Sequence, residues 1–168
     1  LSGTRILTGS EVDILKDGKL DISDEVLSQL DVVGASVHSN FNLSKSEQTN
    51  RIIKAMQNAN VDILFHPTGR LIQQREPYEL DIEKIIQTAK DTGTVLEINA
   101  FPNRLDLKDD HIKLAVKVGV KLSIDSDAHN KNHIQYLEFG IAQARRGWAE
   151  AKDVVNTRKL NEFTKLLK

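Results

Sequence analysis

Five residues that are able to ligate metal ions follow short apolar segments of the chain. They are Glu11, His38, His66, Asp127 and His129. Imidazole and carboxylate groups without thiolate suit Zn²⁺, Mn²⁺ or Fe²⁺ better than Ca²⁺ or Mg²⁺ alone. Such a cluster can bridge metal ions, acidify a bound water and stabilise the charge of an in-line attack on phosphorus. We assign all five residues to metal binding, and Asp127 and His129 also to catalysis beside the metal-bound water.

The elements that must position these residues recur along the chain. Short apolar runs, many of them β-branched, read RILTGSEVDI, VVGASVH, VDILFH, TVLEINA and VKLSIDSDAH. The stretches between and after them carry apolar residues at helical spacing. These predicted stripes are Ile52, Ile53, Met56 and Ala59; Ile82, Ile85, Ile86 and Ala89; Ile112, Ala115, Val116 and Val118; and Leu160, Phe163, Leu166 and Leu167.

Helix termini are also marked in the sequence. Ser44 and Glu47 have the spacing of a capping box, and Gly93 and Gly119 stand where a helix end favours a left-handed residue. Strands that alternate with single helices predict an α/β fold with a parallel sheet of about five βα units. No linker or low-complexity segment interrupts residues 1–168, so we expect a single domain.

One polar residue stands at the end of each predicted strand. These residues are Glu11, His38, His66, Glu97 and Asp127, about 30 residues apart, which is the length of one βα unit. Equivalent ends of parallel strands converge on one rim, so the pattern predicts a metal site at the carboxyl-terminal rim. In an extended chain, Asp127 and His129 would point the same way.

Each of these residues also has a structural interpretation. A single buried histidine after a strand is often a satisfied core residue, and Glu11 could be a surface or capping acid. Asp127 could cap the helix that follows it. The joint placement of all five residues at strand ends favours metal binding.

Other polar residues near the strand ends are candidates for substrate binding. Arg70 and Arg104 follow strand ends, and a guanidinium group matches the oxygens of a phosphate. Asn99 and Glu97 could contact substrate or support the metal ligands, and Asp125 could support them from behind.

The remaining candidates are interpreted as structural. His111 and His133 fall in predicted helices, which favours solvated or helix-terminal roles. For the Arg145–Trp148 segment we expect a surface or packing role.

Composition excludes several classes of function. The chain contains no cysteine and has a formal net charge of −1, which excludes thiolate metal sites and a broad basic surface for nucleic acid. No apolar run is long enough for a membrane span, and no signal peptide is evident, so we expect a cytoplasmic protein without membrane contact. Phosphate-binding Gly-rich loops, nucleophile elbows and HExxH motifs are absent.

Several segments resemble the polymerase and histidinol phosphatase (PHP) domain, above all the version at the carboxyl terminus of bacterial and archaeal family X DNA polymerases. They are GSEVDI, GASVHS, FHPTGR with REPYELD, LEINAFPNRLDL, IDSDAH and FGIAQARRGW, which together span nearly the whole chain. The resemblance implies a distorted βα barrel, partial in this chain, with up to three Zn or Mn ions on its rim.

The resemblance also implies roles for individual residues. Glu11 matches a carboxylate that bridges two metals, and His38 and His66 match the histidines that complete the second of them. Asp127 matches a ligand of the first metal, and His129 a ligand of the third. The implied activity is hydrolysis of DNA 3′ ends by metal-bound hydroxide, with a polymerase domain on the amino-terminal side of this segment.

The chain departs from that family in its first motif, a His-x-His followed by acidic residues and another histidine. It has no such motif before GSEVDI, so we expect a fragment that lacks its first βα units and has weak or absent turnover. An open sheet edge and self-association would follow. Two alternatives stay open: a non-catalytic scaffold with an incomplete metal site, and a small-molecule phosphatase of the histidinol phosphatase type.

Overall fold

Residues 4–167 are described by the structure, which is a computed structural model. The strands are β1 (Gly9–Asp13), β2 (Val32–Ser36), β3 (Ile63–Leu64), β4 (Val95–Asn99) and β5 (Leu122–Asp125). The α-helices are α1 (Asp24–Leu27), α2 (Lys45–Met56), α3 (Ile82–Thr92), α4 (Asp109–Val118), α5 (Leu137–Arg146) and α6 (Leu160–Phe163). Three 3₁₀ helices span Lys131–Tyr136, Ala151–Asp153 and Val155–Thr157.

The five strands form one parallel sheet in the order β1-β2-β3-β4-β5. Each strand lies beside the one that follows it in sequence, which is the arrangement of successive βα units in the wall of a barrel. The predicted α/β fold with a five-stranded parallel sheet is confirmed, and it is consistent with a partial barrel. In this register Glu11 of β1 lies beside Gly34 of β2, and Glu97 of β4 lies beside Ser123 of β5.

One face of the sheet packs against the helices. Val12, Leu64 and Ile98 are buried on this face in the same cluster as Ile52 of α2 and Ile85 of α3. The cluster also takes in Met56, Ile86, Ile112 and Ala115 from the predicted helical stripes. Two residues of the predicted stripes are not buried, so the prediction is wrong for them. Ala59 lies beyond the end of α2 and is exposed, and Val118 at the end of α4 is 38% exposed.

The opposite face of the sheet, here called the inner face, carries the polar residues Glu11 and Glu97. At its amino-terminal end a small apolar cluster joins Ile63 and Val95 to Val155 of the carboxyl-terminal segment. Phe65, Phe163 and Leu166 pack on this cluster. The last predicted helix is shorter than expected, because α6 ends at Phe163 and Leu166 lies beyond it.

The backbone hydrogen-bonding groups on the outer side of β5 are paired by the carboxyl-terminal segment. Val154 forms a parallel bridge with Leu122. The side chain of Asn156 then takes the place of a backbone group: its Oδ1 accepts from the Ile124 N–H at 2.7 Å, and its Nδ2 donates to the Ile124 carbonyl at 3.1 Å.

The predicted helix caps are confirmed. The Ser44 hydroxyl accepts from the backbone N–H of Glu47, and the Glu47 carboxylate accepts from the N–H of Ser44, which completes the capping box. Gly93 and Gly119 end α3 and α4 with φ angles of 78° and 86°. These left-handed angles are ones that glycine adopts without steric cost.

The first strand has one open side. Within residues 4–167, β1 pairs with β2 alone, so the expected open edge is present at β1. Self-association through this edge stays a prediction. None of the helices in the same residues is both long enough and apolar enough to cross a lipid bilayer.

Candidate metal and substrate site

Three of the five predicted metal ligands meet on the inner face, near the carboxyl ends of the first three strands. His38 follows the end of β2 and His66 follows the end of β3, whereas Glu11 is the middle residue of β1. Glu97 is likewise the middle residue of β4, so the expectation of a strand-end position is wrong for both glutamates. The Glu11 Oε1 atom lies 3.2 Å from Nε2 of His38 and 2.9 Å from Nε2 of His66. One ligand atom from each residue lies within 4.8 Å of the others. We call these three residues the metal triad.

The chemistry of the triad fits a divalent ion. Two imidazoles and one carboxylate are the protein ligands of several catalytic zinc sites, and three ligands leave a fourth position open. Donor atoms around a tetrahedral ion with bonds of about 2.0 to 2.1 Å lie about 3.3 Å apart. The separations of 3.2 and 2.9 Å within the triad are close to that value.

Glu11 and His38 shift each other's pKa in opposite directions. Hydrogen bonds from His38 and then from His66 hold the pKa of Glu11 well below its usual range. The hydrogen bond to Glu11, with a further one to Asp13, raises the pKa of His38 to about 9. Glu11 is therefore an anion that attracts positive charge, which a proton or a metal ion can supply.

Asp13 belongs to the site, although the sequence analysis did not select it. Its Oδ1 lies 2.6 Å from Nδ1 of His38, on the side of the ring opposite Glu11. A carboxylate in this place accepts the Nδ1–H bond and leaves the other ring nitrogen available as a ligand. The signal was present in the sequence, because Asp13 stands two residues after Glu11 and shares its face of the strand.

His66 is fixed by its backbone as well as its ring. It has a left-handed φ of 29°, and its N–H donates to the buried carboxyl group of Glu97 at 2.5 Å. Burial, with a smaller contribution from Asp125, raises the pKa of Glu97 well above its usual value. Of the two roles expected for Glu97, this contact matches support of a ligand.

Asp127 and His129 lie outside the metal triad. Asp127 Oδ2 accepts from Nδ2 of Asn99 at 3.1 Å and lies 3.4 Å from Nε of Arg104. The expectation of an extended chain here is wrong, since β5 ends at Asp125 and Asp127 has a left-handed φ of 51°. The cap of the next helix is Asn130 rather than Asp127.

The two arginines that follow strand ends have different surroundings. Nε of Arg70 donates to the Arg104 carbonyl at 2.7 Å, and its Nη2 donates to the Leu105 carbonyl. Arg70 thus holds the loop after β4. Arg104 lies beside Asp127, and its side chain is 17% exposed.

The other candidates lie away from the metal triad. His111 lies in the first turn of α4, where burial lowers its pKa to about 4. Asp125 accepts from the Ser123 hydroxyl at 2.6 Å, a contact within β5. Trp148 is 69% exposed under the Lys113 ammonium group, which agrees with the surface role expected for its segment.

A pocket opens beside Asp127. Its volume is about 300 Å³. It is lined by Leu71, Phe101, Asn103, Arg104, Asp127, His129 and His133. We call it the Phe101 pocket. His133 was expected to be a solvated or helix-terminal histidine. It lies in the Lys131–Tyr136 3₁₀ helix, and its side chain is among those that line the pocket.

The fold and the site define an α/β protein with a candidate metal site at the carboxyl ends of its strands. No protein-family model matches the chain. It is 47% identical over 164 residues to the DNA polymerase/3′-5′ exonuclease PolX of Bacillus subtilis, a match that spans 98% of this chain and 29% of that protein. It is 32% identical over 177 residues to a probable phosphatase of Thermoanaerobacter sp. (strain X514), and spans 70% of that protein.

A probable phosphatase of Syntrophotalea carbinolica is 30% identical over 165 residues, and the chain spans 62% of it. The chain belongs to the family of these bacterial probable phosphatases. Membership of this family supports a phosphoesterase-type hydrolase.

Proposed function

We propose that residues 1–168 form one PHP-type, metal-dependent phosphoesterase domain that hydrolyses the 3′ ends of DNA. The observation that carries the proposal is the metal triad, with two imidazoles and a carboxylate on three successive parallel strands. Zn²⁺ or Mn²⁺ is the ion that we expect, because this donor set suits either.

The choice of DNA ends is supported by one relative. The Bacillus subtilis protein is named as a polymerase and a 3′-5′ exonuclease, and its match spans 98% of this chain. We infer that a polymerase domain lies on the amino-terminal side of this segment in the parent protein, and that the phosphoesterase trims the ends on which the polymerase works.

The residues of the site have separate tasks in this reaction. Glu11, His38 and His66 would hold the ion, which when bound supplies Lewis acidity and lowers the pKa of a water molecule. The Asp13 carboxylate holds His38 with its Nε2 toward Glu11. The N–H bond to Glu97 fixes His66 from behind.

Asp127 and His129, which follow β5, are proposed to hold a further ion and to orient the attacking water. Asn99 donates to Asp127 and orients it, and Arg104 brings a cation next to the same carboxylate. A guanidinium group here would bind the phosphate oxygens of the substrate. Arg70 supports this arrangement through the carbonyl groups of the loop that carries Arg104.

Hydrolysis of a labelled oligonucleotide tests the proposal. The chain is incubated with Mn²⁺ and a 5′-labelled single-stranded oligonucleotide, beside the variants Glu11→Gln and His66→Ala. We expect slow shortening from the 3′ end, because turnover by this segment is expected to be weak. The shortening should be lost in both variants and kept in His111→Gln, which lies away from the triad. Equal shortening by the Glu11→Gln variant would remove the triad from the reaction.

A second candidate is a phosphatase of small phosphomonoesters. It is favoured by the relatives that are named probable phosphatases, one of which the chain matches over 70% of its length. A phosphatase releases inorganic phosphate from histidinol phosphate or from an oligonucleotide with a 3′-phosphate, whereas an exonuclease releases nucleoside monophosphate from a 3′-hydroxyl end. The products therefore separate the two candidates.

The scaffold alternative rests on a structural observation as well. Asp127 and His129 lie outside the group of ligand atoms that the triad brings together. A chain that binds one equivalent of metal at the triad and turns over none of these substrates would be such a scaffold.

A further inference from the structure

The Phe101 pocket is lined by two aromatic rings, those of Phe101 and His133, which the metal chemistry does not use. Tyr136 does not line the pocket but packs against both rings. The ring centroid of Phe101 lies 5.1 Å from that of His133 and 5.3 Å from that of Tyr136, both edge to face. His133 and Tyr136 are stacked, with centroids 5.0 Å apart. Rings at these separations stabilise one another, so the two lining rings are held in place before a ligand arrives.

The ring nitrogens of His133 contact residues of its own loop. Nδ1 of His133 accepts from the backbone N–H of His129 at 3.2 Å, and its Nε2 lies 2.6 Å from the side-chain amide of Asn130. Both ring nitrogens thus lie against groups of their own loop. What His133 offers to a ligand in the pocket is its carbon edge or its π-face.

The rest of the pocket is of mixed character. Leu71 adds an apolar side chain, and Arg104 adds a cation next to Asp127. The volume of about 300 Å³ is at the lower end of the range for small-molecule sites. An apolar aromatic wall and a guanidinium group in one small pocket suit a ligand that has a flat ring at one end and a phosphate at the other.

We propose that the Phe101 pocket binds the terminal nucleobase of the substrate, with the ring of Phe101 as its stacking surface, the nearly perpendicular ring of His133 against its edge, and Arg104 on the side of the phosphate. This inference rests on the proposed function and gives its substrate class: nucleotides with an unpaired, accessible base. Stacking on aromatic side chains is tolerant of sequence, because every base has a π-face. The pocket would therefore select a frayed or single-stranded end without selecting a particular base.

Equilibrium binding tests the inference apart from catalysis. Thymidine 5′-monophosphate and 2-deoxyribose 5-phosphate, which lacks the base, are titrated into the chain by calorimetry in EDTA. We expect the nucleotide to bind about 10-fold more tightly, which corresponds to about 1.4 kcal/mol and lies within the range for stacking of one base.

The variants locate the effect. Phe101→Leu keeps an apolar side chain but removes the ring, and we expect it to reduce the ratio of the two affinities to below about 3-fold. Phe139→Leu is the matched control, because Phe139 contacts Tyr136 but does not line the pocket, and it should keep the full ratio. His133→Leu provides a second test if Phe101→Leu unfolds at a lower temperature.

Equal affinity of the unsubstituted chain for the two ligands, or no binding of either at millimolar concentration, overturns the inference. So does a ratio that survives both Phe101→Leu and His133→Leu. Because no metal is present in this titration, its result stands apart from the hydrolysis assay. Hydrolysis with equal affinities would remove only the stacking pocket, and a preserved ratio without hydrolysis would remove only the phosphoesterase.

Discussion

His38 lies between two carboxylates, with Nδ1 2.6 Å from Oδ1 of Asp13 and Nε2 3.2 Å from Oε1 of Glu11. One carboxylate belongs to the metal triad and the other fixes the ring from outside it. Both come from β1, two residues apart on the same face of the strand. The strand thus supplies both a ligand and the residue that orients the neighbouring ligand.

The first prediction concerns this outer carboxylate. Asp13→Asn removes the charge that accepts the Nδ1–H bond of His38 but keeps the size of the side chain. Loss of such a partner typically lowers metal affinity about 10- to 100-fold. Competition with a chromophoric zinc chelator measures the change. Asp17→Asn, on the loop after β1 and paired with Lys19, is the matched control. Unchanged zinc affinity in Asp13→Asn would show that His38 needs no such support.

The second prediction concerns the pH dependence of stability. Burial lowers the pKa of His111 to about 4 in the folded chain, below the value of about 6.5 that it has when unfolded. Protonation therefore favours the unfolded state. The contribution of His111 to stability is complete above pH 6.5 and is lost as the pH falls from 6.5 toward 4.

Melting temperature measured against pH, for the chain and for His111→Asn, tests this expectation. The decrease between pH 6.5 and 4 should be smaller in the variant, because a carboxamide does not titrate. Parallel curves for the two proteins would show that His111 takes up its proton equally well in the folded and unfolded states.

The third prediction concerns the contact between Gly34 and Phe65 on the inner face. A Cβ atom on Gly34 would lie 1.9 Å from the Phe65 ring, so Gly34→Ala forces the ring to move. We expect a loss of about 1 to 3 kcal/mol in the free energy of unfolding, the usual cost of overpacking. Urea denaturation measures it.

The double variant Gly34→Ala with Phe65→Leu tells whether the cost comes from the ring. The smaller side chain at position 65 should make the effect of Gly34→Ala smaller than it is beside phenylalanine. Additive losses would show that the glycine is required for another reason.

The fourth prediction concerns the outer side of β5. Asn156→Ala removes two hydrogen bonds to the backbone of Ile124. We expect destabilisation of about 1 kcal/mol and faster amide exchange at Ile124. Asn161→Ala, exposed in α6, is the control and should leave both measurements unchanged. Exchange at Ile124 that stays as slow as before would show that the β5 edge is protected without Asn156.

The meeting of Glu11, His38 and His66 follows from the parallel strands. His38 and His66 each come two residues after a strand ends, and parallel strands bring equivalent ends together whatever the loops do. The expectation that Glu11 stands at a strand end is wrong, since it is the middle residue of β1. Asp13 could have been selected by the same period-two argument that was applied to Asp127 and His129.

The conformation of the loops after the strands could not be predicted from strand positions. The chain turns at Asp127 through a left-handed residue, which no apolar pattern reports. The structural role of Arg70 depends on its hydrogen bonds to carbonyl groups of the loop after β4. A guanidinium group that binds carbonyl groups and one that awaits a phosphate look alike in a sequence.

The metal triad draws one residue from each of the first three βα units, and Glu11 and His66 are 55 residues apart in the chain. An ion held there would tie these units together as a removable cross-link. Its binding energy would then belong partly to folding, since the unfolded chain has no such site. Chelation would loosen the amino-terminal half of the sheet first and leave β4 and β5 comparatively protected, so the loss of metal would be visible in the dynamics of this half.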